Sequence, residues 1–229
     1  MDSSIASSPV TIRCQGILFD MDGILISSIG SVERSWTKWA RMRGVDPAYA
    51  ISITHGCRAI ESVATLRPDL DPVAELKVIE DIELADGQGL AVLPGVLELL
   101  AALPPRRWTV VTSATERLVR ERLAASGIPV PERLIAAESV TQGKPHPEAF
   151  LAGAALLGFA PEDCVVIEDS SSGVQAGRAA GCTVVATTFS HSMEMLDAAH
   201  YLIQDVTGVE AETLPGDAGL VLKFTPLAG

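Results

Sequence analysis

The sequence predicts an α/β fold, a Rossmann-like doubly wound parallel sheet with an inserted α-helical cap, on three observations. Short β-branched-rich runs, apolar on both faces, recur along the chain, which is how parallel strands covered by helices on both sides read. From about residue 94 these runs alternate with stretches of helical periodicity. Between about 29 and 90 the alternation breaks, and helical patterns follow one another with no convincing strand.

The first strand is read at 16–20, GILFD. Three helical patterns follow: 32–44 (VERSWTKWARMRG), 57–66 (CRAIESVATL) and 73–86 (VAELKVIEDIELAD). Breakers then crowd 87–95, with GQG and Pro94-Gly95, and mark a return linker. The predicted division is a core of 1–28 and 90–229 with a helical cap of 29–89. In the core, helices at 96–103, 116–126, 147–157 and 173–180 alternate with strands WTVVT (108–112), LIAA (134–137), CVVIED (164–169) and TVVATT (183–188). Ser170 to Ser172 read as the cap of the 173–180 helix, and Gly173, Gly177 and Gly181 as close helix-to-sheet packing. From Gly208 onward, a turn with an edge strand and an ordered extension both remain open. Trp36 and Trp39, three apart, read as packing within the helical segment.

Composition narrows the function classes. The 229 residues are 48% hydrophobic and 20% charged, enough to bury a sizeable core in one functional unit. A net charge of −12 repels nucleic acid and anionic membrane, and no apolar run reaches the length that spans a bilayer. The opening MDSSIASSPVTIRC has no basic start followed by an apolar run, so a cytoplasmic protein is expected, a monomer or weak homodimer. Cys14, Cys57, Cys164 and Cys182 form no CxxC pair and read as four buried thiols rather than a zinc site or disulfide framework. His146, His191 and His200 read as loop or surface residues.

In an open α/β sheet, ligands bind beyond the carboxyl ends of the strands, so the polar residues there carry the chemistry. Asp20 and Asp22 follow the first strand as FDMDG, Thr112 and Ser113 end WTVVTS, Glu168 and Asp169 end CVVIED, and Lys144 lies in GKPHPE. A carboxylate can attack phosphorus, but the two anions repel until a divalent cation and an ammonium neutralise them. Asp20, Asp169, Mg²⁺ and Lys144 meet that requirement, and Asp22 is suited to protonate the leaving oxygen and later take a proton from water. Magnesium prefers oxygen ligands, so a few carboxylates, a carbonyl and the substrate phosphate suffice to hold it.

The segments FDMDG, VVTS, GKPHPE and VVIEDSSSGVQAGRAAG resemble, in order, the four motifs of the haloacid dehalogenase-like hydrolase superfamily, a likeness that covers 16 to about 190. It is nearest to the helical-cap branch, to sugar- and polyol-phosphate phosphatases of the glycerol-phosphatase and 2-deoxyglucose-6-phosphatase kind, with THGCR in the cap in support. The resemblance implies Asp20 as nucleophile, Asp22 as acid and base, Thr112 with the Ser113 amide as phosphate holders, and Lys144 as charge neutraliser. It places Mg²⁺ among Asp20, Asp22 through its carbonyl, Asp169 and Glu168, and brings Arg58 to the substrate phosphate with His55 nearby. The expected partner is a small phosphorylated sugar or polyol.

Many relatives have Asp where DMDGILISS has Ser27, a departure that leaves the catalytic set intact and bears on the cap hinge. The superfamily's dehalogenases generally lack the second Asp, so Asp22 argues against dehalogenation. A phosphomutase of the β-phosphoglucomutase type would carry His where Val32 stands, and a phosphonoacetaldehyde hydrolase would need a lysine near ISITHG; neither is present. A non-catalytic phosphometabolite-binding protein remains the rival from another class.

Overall fold

The computed structural model describes residues 8–54 and 57–228, so His55 lies outside the described residues. Strand β1 (Val10–Cys14) turns at Gln15 into β2 (Gly16–Phe19), which is buried along its whole length. The chain then folds tightly back: the amides of Ile24, Leu25 and Ile26 all donate to the Met21 carbonyl, and Gly23 takes a left-handed φ of 82°. β3 (Ile26–Ser27) leads into four helices: α1 (Ile29–Arg43), α2 (Pro47–Ser52), α3 (Ala59–Leu66) and α4 (Pro72–Ala85). Helices α2 and α4 start alike, with Asp46 or Asp71 accepting an amide and proline at the first helical position, where no N–H is needed. β4 (Ala91–Val92) returns alongside β3, pairing Ile26 with Val92 and Ser27 with Ala91.

Beyond this ribbon come α5 (Val96–Ala102), β5 (Trp108–Val110), α6 (Glu116–Ala125), α7 (Glu148–Leu157), β6 (Cys164–Glu168), α8 (Ser171–Ala179), β7 (Thr183–Thr187) and β8 (Tyr201–Ile203). Two further strands, β9 (Glu210–Thr213) and β10 (Leu220–Phe224), join β1 in a separate antiparallel sheet. The main sheet is parallel in the order β5–β2–β6–β7–β8, so the winding reverses direction at β2. Its side chains alternate between two apolar layers. Ile17, Phe19, Val165 and Ile167 pack with Leu99, Val119 and Leu123 from α5 and α6. Leu18 and Val166 pack with Phe150 and Ala154 of α7 and Val174 of α8. Helices α1 to α4 hold a third cluster of their own around Trp36, Trp39, Val63 and Ile79.

One expectation needs correction. LIAA at 134–137 is not a strand: only Ile135 bridges to Val111, and 137–139 is a 3₁₀ turn in which the Ala136 amide donates to Ser139 Oγ. Two alanines give this run little to pack on a sheet, and the local hydroxyl offers the backbone another partner. The fifth strand is instead β8, unread because YLI is short and follows a 3₁₀ turn. The open question at the tail resolves as β9 and β10, which pair with β1 and bring Leu220, Leu222 and Phe224 into the same apolar cluster as Ile17 and Val209.

Candidate active site

The crevice lies beyond the carboxyl ends of β2, β5 and β6, where the winding reverses. Asp20 leaves β2 with its amide held by the Ile167 carbonyl (3.0 Å). Thr112 leaves β5, its Oγ1 accepting the Ala114 amide (3.1 Å), with Ser113 beside it on the cavity wall. Glu168 and Asp169 end β6, and Ser170 caps α8 by accepting the Gly173 amide.

Lys144, after Gly143 and ahead of a cis bond to Pro145, ties these strands together. Its ammonium is buried and donates to Asp20 Oδ1 (2.6 Å), Glu168 Oε1 (2.7 Å) and the Val111 carbonyl (3.3 Å). Glu168 Oε2 in turn accepts the amides of Asp169 and Ser170 at 2.7 Å each and the Ser170 hydroxyl at 3.0 Å. Burial opposes the charge on both partners, yet the pairing prevails: Lys144 is held above the ordinary lysine pKa and Glu168 below the ordinary glutamate value. Two glycines make room for the carboxylates. A Cβ on Gly23 would stand 1.8 Å from Asp169 Oδ2, and one on Gly173 would stand 1.7 Å from Glu168 Oε1.

The remaining acids carry the imbalance. Burial pushes Asp20 up to about 7 against the pull of Lys144, and raises Asp169 well above the usual carboxylate range with Glu168 and Asp20 adding to it. Carboxylate oxygens of Asp20, Glu168 and Asp169 lie within 4.8 Å of one another, all buried. Buried oxygen donors in this excess fit a hard divalent cation. Asp20 and Asp169 have the oxygens to spare, whereas Glu168 Oε2 is taken up by two amides and a hydroxyl and its Oε1 accepts from Lys144.

Of the other residues read from sequence, Asp22 lines the same cavity, its carboxylate accepting from Ser28 Oγ and from Arg122 Nη1 (2.9 Å). Arg58 does not line the cavity. Its guanidinium pairs with Glu61 and donates to the carbonyls of Ala137 (3.3 Å), Val140 (2.8 Å) and Thr141 (2.8 Å), fastening α3 to the loop before Lys144. Trp39 is core, its indole N–H donating to Glu75 (2.7 Å), but Trp36 is also part of the cavity wall. Cys14, Cys164 and Cys182 are buried thiols pushed up to about 12 by burial, while Cys57 is only half-buried and borders the cavity. His191, read as a loop residue, lines the cavity too, with Ser190 at 2.7 Å from its Nδ1.

Sequence reasoning missed a charged cluster. Arg122 on α6 is 2% exposed; besides Asp22 it donates from Nη2 to Glu83 Oε2 of α4 (3.3 Å), and its Nε has no hydrogen-bond partner among the described residues. Burial pushes Glu83 up to about 7 even with Arg122 beside it. The signal was present in both helices: Arg122 shares the inward stripe of Leu118, Val119 and Leu123, and Glu83 that of Glu75 and Ile79. A charge on an apolar stripe marks a buried partner.

A haloacid dehalogenase-like hydrolase family profile matches residues 14–181. The chain is 43% identical over 179 residues to hexitol phosphatase A of Escherichia coli strain K12, covering 76% of this chain and 83% of that protein. It is 32% identical over 199 residues to glycerol-1-phosphate phosphohydrolase 2 of Saccharomyces cerevisiae, covering 81% of this chain and 80% of the yeast protein. Among solved structures, a hydrolase from Pseudomonas syringae superposes with a TM-score of 0.75 at 22% identity, covering 84% of this chain and 94% of that one.

Proposed function

The chain belongs to the haloacid dehalogenase-like hydrolase family and is a phosphoric monoester hydrolase, and we propose that it dephosphorylates small sugar or polyol phosphates through an aspartyl-phosphate on Asp20. The observation that carries this reading is the buried Asp20–Lys144–Glu168 cluster at the point where the sheet's winding reverses. A carboxylate beside a fixed ammonium can approach a phosphate that it would otherwise repel. Residues 29–89 are taken as the cap and 1–28 with 90–229 as the core, the cap closing the cavity over the substrate.

In this mechanism an Asp20 oxygen attacks phosphorus and the bond from phosphorus to the alcohol oxygen breaks, with Asp22 giving its proton to the departing oxygen. Asp22 then accepts a proton from the water that attacks the acyl phosphate, which releases inorganic phosphate and restores Asp20. Thr112 and the Ser113 amide orient the phosphate, and Lys144 offsets charge on Asp20. A Mg²⁺ ion held by Asp20, Asp169 and the Asp22 carbonyl, with Glu168 behind them, would supply charge neutralisation at the phosphoryl oxygens.

Val32 on the cavity wall argues against a phosphomutase, since no imidazole stands there. The names of the two relatives, a hexitol phosphatase and a glycerol-1-phosphate phosphohydrolase, support polyol phosphates as substrates. The test is phosphate release from hexose, pentose, polyol and nucleotide monophosphates with Mg²⁺ or chelator. Release from sugar or polyol phosphates that stops with chelator and in a folded Asp20→Asn variant is the expected result; release that survives the substitution would remove Asp20 as nucleophile.

A further inference from the structure

We infer that the buried Glu83–Arg122 pair selects the far end of the substrate, admitting a neutral hydroxyl-bearing leaving group and rejecting one that carries a second anion. The inference rests on the phosphatase reading above and deepens it. Both side chains line the cavity that contains Asp20 and Asp22, although they are only 7% and 2% exposed. Arg122 already serves two carboxylates, Asp22 at 2.9 Å and Glu83 at 3.3 Å, so its one positive charge is shared between them and is not free for an anion on the substrate. Glu80 on the same wall is already paired with Arg117 (3.4 Å) and accepts from Thr115 Oγ1, and no lysine or second arginine lines the wall among the described residues. The rest of what α1 and α4 present there is apolar, with Ile29, Val32, Trp36, Leu76 and Ile79.

Hydroxyl groups suit such a wall. Each can donate to a carboxylate oxygen, replacing the water that Glu83 loses on burial. A phosphate or carboxylate at the same point can only accept, meets the Glu83 carboxylate as a like charge, and finds the Arg122 guanidinium already taken. Selection of this kind acts through the repelled partner more than through the accepted one.

The experiment compares glucitol 6-phosphate with 6-phosphogluconate, two chains alike except that a carboxylate replaces the terminal hydroxymethyl group, with p-nitrophenyl phosphate as a third substrate. The ratio of kcat/KM between the first two is measured on one preparation of each protein, so the folded fraction cancels. Wild type should favour the hexitol phosphate by about 100-fold or more, with the difference carried mainly by KM, and Glu83→Gln should shrink that ratio about tenfold. Glu83→Asp, which keeps the charge, should stay nearer to wild type. An unmoved ratio in Glu83→Gln, or a wild type indifferent to the carboxylate, would overturn the inference while leaving the phosphatase reading intact. A Glu83→Gln protein that is folded yet inactive on all three substrates would show Glu83 needed for turnover itself and would also overturn it. A wild type inactive on all three would sink the phosphatase reading, and the selection role with it.

Discussion

At the scale of single residues, the site is a set of buried charges of unequal fate. Lys144 and Glu168 gain from their pairing, while Asp20, Asp169 and Glu83 are held ionisable where burial disfavours the charge. For Glu83 the sign of the linkage is clear. Its pKa lies at about 7 in the fold against an ordinary 4.5, so its stabilising contribution is complete below 4.5 and is lost as pH rises through about 7. Glu83→Gln carries no such loss, so the variant's Tm minus the wild-type Tm should grow between about pH 5 and about pH 8. Thermal melts at the two pH values check this, and a difference that shrinks toward alkaline pH would contradict it. The residues of the acidic cluster were legible in the sequence because each ends a strand or sits in a short loop beside a glycine or proline. Arg122 and Glu83 went unread although each stands on an apolar stripe; that pattern marks a buried charge, while the identity of its partner depends on the opposing helix.

At the scale of elements, α4 shows how one helix serves two purposes. Glu75, Ile79 and Glu83 fall four apart on its inward face. Glu75 is structural: its Oε2 accepts from Trp39 Nε1 and Arg43 Nε, both at 2.7 Å, which fastens α4 to α1. Glu75→Ala leaves the buried indole N–H without a partner and should cost about 1–3 kcal/mol in urea unfolding. A loss within measurement error would mean that water or another acceptor replaces it. The helices and central strands were readable from periodicity because they are long or fully apolar. β3, β4 and β8 were not, being two or three residues long, and LIAA misled because its alanines carry little preference for a sheet. β1 went unread although Val10, Ile12 and Cys14 alternate with Thr11 and Arg13 between Ser8-Pro9 and Gly16, which is the pattern of a half-buried strand.

At the scale of the molecule, the charge of −12 surrounds a site meant for an anion. Moderate salt should screen that repulsion, so kcat/KM for a phosphorylated polyol at fixed free Mg²⁺ should rise about twofold between about 10 and about 150 mM KCl. Initial rates at low substrate measure it, and a falling rate would reveal a local attractive field stronger than the overall charge. The general architecture was legible from the order of apolar runs, but the juxtaposition of α4 with α6 was not, since it depends on how far the chain travels before it returns. That return carries an evolutionary consequence. The strand that leaves the sheet and the strand that comes back are paired directly, Ser27 against Ala91, so the whole helical excursion departs and re-enters at a single doorway. A lineage can therefore lengthen, shorten or trade that excursion without shifting the register of any strand that holds the buried carboxylates.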